Sequence, residues 1–103
     1  MPYIKQEVRA GIDDSIDELM MSILKECIRQ KADLEGVMNY TLTSLLLRTY
    51  QELHGAPRYA HFNNIIGVLE CCKLEMYRRA AAPYEDKAKR TNNDLGEFIE
   101  WGA

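Results

Sequence analysis

Two arginines and two tyrosines beside a proline carry most of the chemical character of this sequence. Arg78 and Arg79 follow Tyr77, and Pro83, Tyr84 and Lys87 come within the next nine positions. Guanidinium forks grip phosphate through paired N–H groups, and a phenol ring can lie over a planar base. Such a set suits an anionic small molecule that also carries a ring, a nucleotide being the plainest example. The structural alternative is that these charges pair along a helix. Glu75 stands four before Arg79 in the favourable order, Glu70 can reach Lys73, and tyrosines are common at interfaces.

A second polar set lies close to the first. Tyr59, Asn63, Glu70 and Tyr77 are spaced by four, seven and seven, which places them on one flank of a helix. Buried, such a stripe must find hydrogen-bond partners, either across a seam between subunits or in a small-molecule pocket. Asn39, next to Tyr40, could face the same pocket or serve as a helix cap.

Catalytic signatures are absent. The chain has no glycine-rich phosphate loop, no Gly-x-Ser-x-Gly elbow, no Cys-x-x-Cys and no paired-histidine spacing. His54 is expected at a helix end, where the dipole favours an imidazolium, and His61 has no companion ligand in sequence. Asp14 and Glu18 share a helix face but read as first-turn dipole partners. Glu70 and Glu75, five apart, do not share one. We therefore assign no catalytic residue, metal ligand or cofactor. A metal-dependent nucleotide hydrolase remains an alternative, with Glu70, Glu75 and Asp86 its first carboxylates to test.

The elements that must position these residues are helices. Ile12, Ile16, Leu19, Met20, Ile23, Leu24, Cys27 and Ile28 recur at helical spacing, which predicts a helix over 13–31 capped around Asp13–Ser15, with residues 1–12 as an arm. Asp33 to Gly36 reads as a polar break. Met38, Leu42, Leu45, Leu46, Thr49 and Leu53 predict a second helix over 39–54, capped by Asn39 or Thr41 and stopped by Gly55. Pro57 is expected in the first turn of a third helix. Phe62, Ile65, Ile66, Leu69, Lys73, Met76 and Ala80 trace its main stripe, and Gly67, Val68, Cys71, Cys72 and Leu74 lie outside it. A helix apolar on several sides is buried from several directions. Pro83 either kinks it or opens a fourth helix, in which Glu85–Lys89 and Asp86–Arg90 are well-ordered pairs. Residues 94–103 form an apolar tail expected to pack on its own or a neighbouring subunit.

The 103 residues fit one domain, an all-α bundle of three to four helices with a proline-bent third helix. A helical domain this small gains area by oligomerising, so the chain itself is an expected partner. A net charge of -3 argues against sequence-independent binding to polymeric nucleic acid. The charge is uneven: Asp13, Asp14, Asp17 and Glu18 crowd the first helix, whereas cations concentrate between Lys73 and Arg90. Cys27, Cys71 and Cys72 are odd in number, and neighbours on a helix rarely bridge, so reduced buried thiols are expected. Without a signal-peptide run or an apolar stretch of about 20 residues, the expected location is the cytoplasm, with no membrane partner.

One resemblance is visible in the residues themselves. Met1-Pro2-Tyr3-Ile4, Asn39-Tyr40, Gly67-Val68-Leu69-Glu70-Cys71, Lys73-Leu74-Glu75, Tyr77-Arg78-Arg79 and Pro83-Tyr84-Glu85-Asp86-Lys87 resemble a family of uncharacterised proteins of about this length from bacteriophages and some bacteria. The likeness spans nearly the whole chain. Relatives often carry an Asn-Gly-Asp turn where this chain has Asn92-Asn93-Asp94. The resemblance implies a phage or prophage origin and points to Glu70–Lys87 as the segment to test.

The expected function is thus an oligomeric binding module that captures an anionic small molecule such as a nucleotide signal of host defence. Its expected ligand residues are Arg78, Arg79, Tyr77, Tyr84, Lys87, Asn39, Tyr59, Asn63 and Glu70. The alternatives are an adaptor that docks on a host protein through the acidic first helix and apolar tail, and the hydrolase named above.

Overall fold

Asp33 decides where the chain reverses for the first time. Its carboxylate accepts a hydrogen bond from the Gly36 backbone N–H at 2.9 Å, capping a helix that runs over Leu34–His54. In the computed structural model, which describes residues 2–102, that helix is α2 of an all-α chain with no strand among those residues. The order is α1 (Gln6–Gln30), α2 (Leu34–His54), α3 (Tyr59–Met76), a π-helical turn (Tyr77–Ala81), α4 (Ala82–Asn92) and α5 (Gly96–Trp101). The chain divides into two units, Pro2–Ile66 and the segment from Gly67 onward.

In the first unit, α1 starts seven residues before the expected Asp13. Val8, Ile12 and Ile16 are spaced by four, so the helical period already runs through the presumed arm, and Asp13–Ser15 lie inside the helix instead of capping it. Arg9 donates from Nε to the Ile4 carbonyl at 2.8 Å, tying down the entry. At the far end, Arg29 forks onto the Glu26 carboxylate at 2.9 Å, and that partner raises the arginine's pKa above its ordinary value through hydrogen bonding and charge. Lys31 then takes a left-handed conformation, φ 51, and its N–H closes the helix on the Cys27 carbonyl.

The expected polar break at Asp33–Gly36 is instead the cap and first turn of α2. Asn39 and Thr41 are interior to that helix, and the Thr41 hydroxyl turns back to the Val37 carbonyl at 2.7 Å. The side-chain cap of Asp33 outcompetes them because it meets an N–H that has no partner within the helix. Gly55 stops α2 as expected, at φ 76. Three residues, Lys31 to Asp33, join α1 to α2, so the two helices form a hairpin.

Pro57 precedes α3 by two residues, outside its first turn. Arg58 occupies the cap position, and its N–H donates to His61 Nδ1 at 2.9 Å. His61 thereby fills the place that Glu or Gln takes in a capping box. His61 also stacks on His54 at 4.4 Å between ring centroids, with Tyr50 beside both, so two histidines that look isolated in sequence join the end of α2 to the start of α3. Ile65 is the one described residue that is buried.

In the second unit, the break expected at Pro83 takes the form of the π-helical turn, followed directly by α4. Cys71 and Cys72 are exposed and Cys27 is half-buried, all three thiols free, which corrects the expectation that they are buried. Glu85–Lys89 and Asp86–Arg90 do not close as ion pairs among the described residues; the pairs formed here are Lys73–Glu70 and Arg78–Glu75. After α4, Asn93 sits at φ 68, ψ 157, a region that favours glycine. In α5, Phe98 meets Trp101 edge to face, yet Ile99 and Trp101 stay 63% and 71% exposed, so the tail does not bury its own apolar surface.

Two substitutions test these local devices by chemical denaturation. Asp33→Ala removes the α2 cap and should lower stability by about 1 kcal/mol, with Asp33→Ser restoring most of it. Asn93→Gly relieves the backbone after α4 and should raise stability by about 1 kcal/mol.

Candidate functional site

Pro83 has no N–H to give the Arg79 carbonyl, and in an unbroken α-helix its ring would collide with that carbonyl. The chain resolves the conflict by widening one turn. Over Tyr77–Ala81 the backbone is π-helical, and the Ala82 N–H reaches the Tyr77 carbonyl five residues back. Helical structure therefore continues past the proline, with Pro83 in the first turn of α4, where its missing donor costs nothing.

The wide turn changes which side chains share a face. On a regular helix, residues eight apart differ by about 80° of rotation. Inserting one residue brings them nearly into line, and the Tyr77 hydroxyl stands 3.5 Å from a Glu85 carboxylate oxygen, a long and weak contact. Met76, Tyr77, Ala80, Ala81, Tyr84 and Glu85 line an open groove of about 580 Å³ beside it. Its walls are methyl, thioether and phenol ring, and its only formal charge is the Glu85 carboxylate.

A second concavity of about 340 Å³ lies along α4, lined by Tyr84, Lys87, Ala88, Thr91 and Asn92. These positions are three, four, seven and eight from Tyr84, one face of a helix. The Thr91 hydroxyl donates to the Lys87 carbonyl at 3.2 Å. The Lys87 ammonium supplies the cation. Tyr84, 76% exposed, contributes to both hollows.

The expected site residues thus separate. Tyr77 and Tyr84 come together as expected, and Lys87 adjoins Tyr84. Arg78 does not join them: its guanidinium is drawn to Glu75 at 2.7 Å, a residue three back on the helix, in preference to the expected Glu75–Arg79 geometry. Neither Arg78 nor Arg79 lines either hollow. Glu70 is held by Lys73 at 3.2 Å, which satisfies it within its own helix. Asn39, exposed within α2, is not a cap, and Tyr59, 79% exposed, and Asn63 belong to the other unit.

Glu85, Thr91 and Asn92 were missed in sequence. Glu85 could not be found from helical spacing, because the π turn shifts it by a residue relative to Tyr77. Thr91 and Asn92 were legible in principle from their offsets to Tyr84 once α4 is extended to Asn92. No group of three His, Cys, Asp or Glu side chains among the described residues could hold a metal ion. No described helix is long and apolar enough to cross a membrane.

Residues 1–95 match the family described as Domain of unknown function (DUF6899). The chain belongs to this family. No curated protein and no solved structure matches it. The matched DUF6899 segment includes the π turn and all of α4, so both hollows lie within the family domain.

Pro83→Ala would return a donor to the Arg79 carbonyl and let the π turn relax to α. Stability should rise by less than the about 3 kcal/mol that a proline costs in a helix interior, because Pro83 sits in the first turn of α4, while Tyr77 turns away from Glu85. Thermal melts and the NMR contacts of the Tyr77 ring measure the two effects separately.

Proposed function

We propose that the protein is a phage-type, homo-oligomeric binding module of the host cytoplasm that sequesters an anionic, ring-bearing small molecule, a nucleotide signal of host defence. What supports this is one observation: the Tyr84 ring stands between an apolar groove ending in a carboxylate and a polar hollow holding a lysine. A nucleotide has the matching order of parts. Its base stacks on tyrosine, its phosphate takes the Lys87 ammonium, and N–H groups on the base edge donate to Glu85.

Charge decides the orientation. Glu85 repels phosphate from the Tyr77 side, so the anion belongs on the Lys87 side. Guanine, with two adjacent N–H groups for one carboxylate, suits Glu85 better than pyrimidines do. The arginines take a lesser part here than the sequence led us to expect, since Glu75 occupies Arg78.

A second possibility, a protein-binding adaptor, draws on the apolar tail: Trp101 and Ile99 of α5 are exposed, and aromatic residues of this kind anchor protein interfaces.

Calorimetry of the purified chain against linear and cyclic nucleotides tests the proposal. Binding should weaken at least tenfold in Tyr84→Ala and in Lys87→Ala, and stay within about twofold in Arg78→Ala; 1.4 kcal/mol corresponds to one tenfold step. No heat with any nucleotide would remove it. A stoichiometric host protein retained by Lys87→Ala but lost in Trp101→Ala would favour the adaptor.

A further inference from the structure

The joint between α2 and α3 contains a hydrogen bond that only one charge state of a histidine can make. The Arg58 N–H donates to His61 Nδ1 at 2.9 Å, and in return the His61 backbone N–H donates to the Arg58 carbonyl at 2.9 Å. An imidazole nitrogen accepts only while it carries a lone pair, so Nδ1 is bare in this arrangement and the ring's proton belongs on Nε2. A second proton goes to Nδ1. The acceptor then becomes a donor, and two N–H groups face each other where one hydrogen bond stood. Glutamine, a usual occupant of this place in a capping box, has no such sensitivity.

The other histidine sharpens the response. His54 closes α2, and its ring stacks on His61 with centroids 4.4 Å apart and planes 14° apart. Two neutral rings, or one charged and one neutral, stack without conflict, whereas two imidazolium ions at that separation repel. His54 is exposed, and the C-terminal end of α2 favours a cation there. His61 is half-buried in the first turn of α3, where the dipole disfavours one. The stacked rings thus have opposite preferences, and the conflict falls on His61.

No carboxylate stands by to hold a charged His61. The first turn of α3 has no acidic residue, and Arg58, three positions before His61, adds a cation of its own. From α2, Tyr50 faces the His54 and His61 rings at 5.9 and 6.3 Å, and its phenol supplies no countercharge. Glu52 lies about 200° around the helix from His54. Across the α1–α2 hairpin, Lys5, Glu7, Arg9 and Asp13 are the charged residues that come level with the end of α2. Among the described residues none of the four forms an ion pair or hydrogen bond with either imidazole, and Arg9 is held by the Ile4 carbonyl.

We propose that the His54–His61 pair makes the α2–α3 joint acid-labile. The joint is closed while His61 is neutral, and it opens when protonation of Nδ1 expels the Arg58 N–H and drives the stacked rings apart. The sign follows from the contact. Because the neutral ring makes the native bond, the joint's contribution is present above the ordinary imidazole range, near pH ~6.5, and is lost as pH falls through it. Tyr84, Lys87 and Glu85 have no part in it, so it is independent of the nucleotide proposal.

NMR of the full chain labelled with nitrogen-15 tests the joint directly. At about pH 7.5 the His61 ring should carry its proton on Nε2. On acidification to about pH 5.5 the Arg58 amide signal should move in step with the His61 ring titration, and the contacts between the two imidazoles should disappear. Chemical denaturation over the same range gives the second readout. The folded-to-unfolded ratio should fall at least about threefold more in wild type than in His61→Gln, whose side-chain oxygen accepts from the Arg58 N–H at either pH. His54→Gln should make the fall smaller and leave the Arg58 response in place. A His61 proton on Nδ1 at neutral pH, an Arg58 amide that ignores the ring titration, or equal pH dependence in wild type and His61→Gln overturns the proposal.

Discussion

Ordering a backbone costs about 1–2 kcal/mol per residue, and proteins recover most of it by taking apolar surface out of water. Here Ile65 is the only described residue that is buried, while leucines, isoleucines and methionines along α1 and α2 stand open on facing sides. Local devices hold the helices in shape: the Asp33 cap, the left-handed Lys31, and the imidazole of His61 on the Arg58 N–H. The Asp33 cap contributes on the order of 1 kcal/mol, whereas a lysine in the left-handed region costs a similar amount. Such terms define where helices start and stop. They do not replace a core, and the helices' stability follows from whatever covers the hairpin face.

The second unit is governed by a different constraint, a proline in a helix that does not end. The π turn costs some regularity over Tyr77–Ala81 and offsets it by keeping α3 and α4 helical to either side of Pro83. Its side effect is chemical. By advancing the following residues it lays Tyr77, Tyr84 and Glu85 along one groove. Widened turns of this type are common at functional sites, because they place side chains at separations that a regular helix does not offer.

Electrostatics then divides the neighbourhood of Tyr84. The exposed ion pair Lys73–Glu70 contributes little to stability in water, and together with Arg78–Glu75, whose carboxylate side is half-buried, it occupies charges that a ligand would otherwise meet. Lys87 is left as the cation beside the tyrosine, and Glu85 as the anion on its other side. The two hollows therefore have opposite preferences, which is a stronger basis for orienting a small molecule than a cluster of arginines would be.

The apolar periods of Ile12–Ile28 and Met38–Leu53, the stop at Gly55 and the disruption at Pro83 were legible without coordinates, because each depends on residues near in sequence. They determine an all-helical chain and mark the segment around Tyr77 and Tyr84 as the one to test. Helix starts were less legible: Asp33 and Asn39 are both plausible caps by type, and only the closure of Asp33 on the Gly36 N–H chooses between them. What tertiary structure alone decided is which groups meet. His54 joins His61 across a turn, Arg78 goes to Glu75, and Glu85 reaches Tyr77 because one extra residue in a helical turn rotates everything after it. Sequence spacing assumes a constant rotation per residue, and it loses the register wherever the backbone abandons that value.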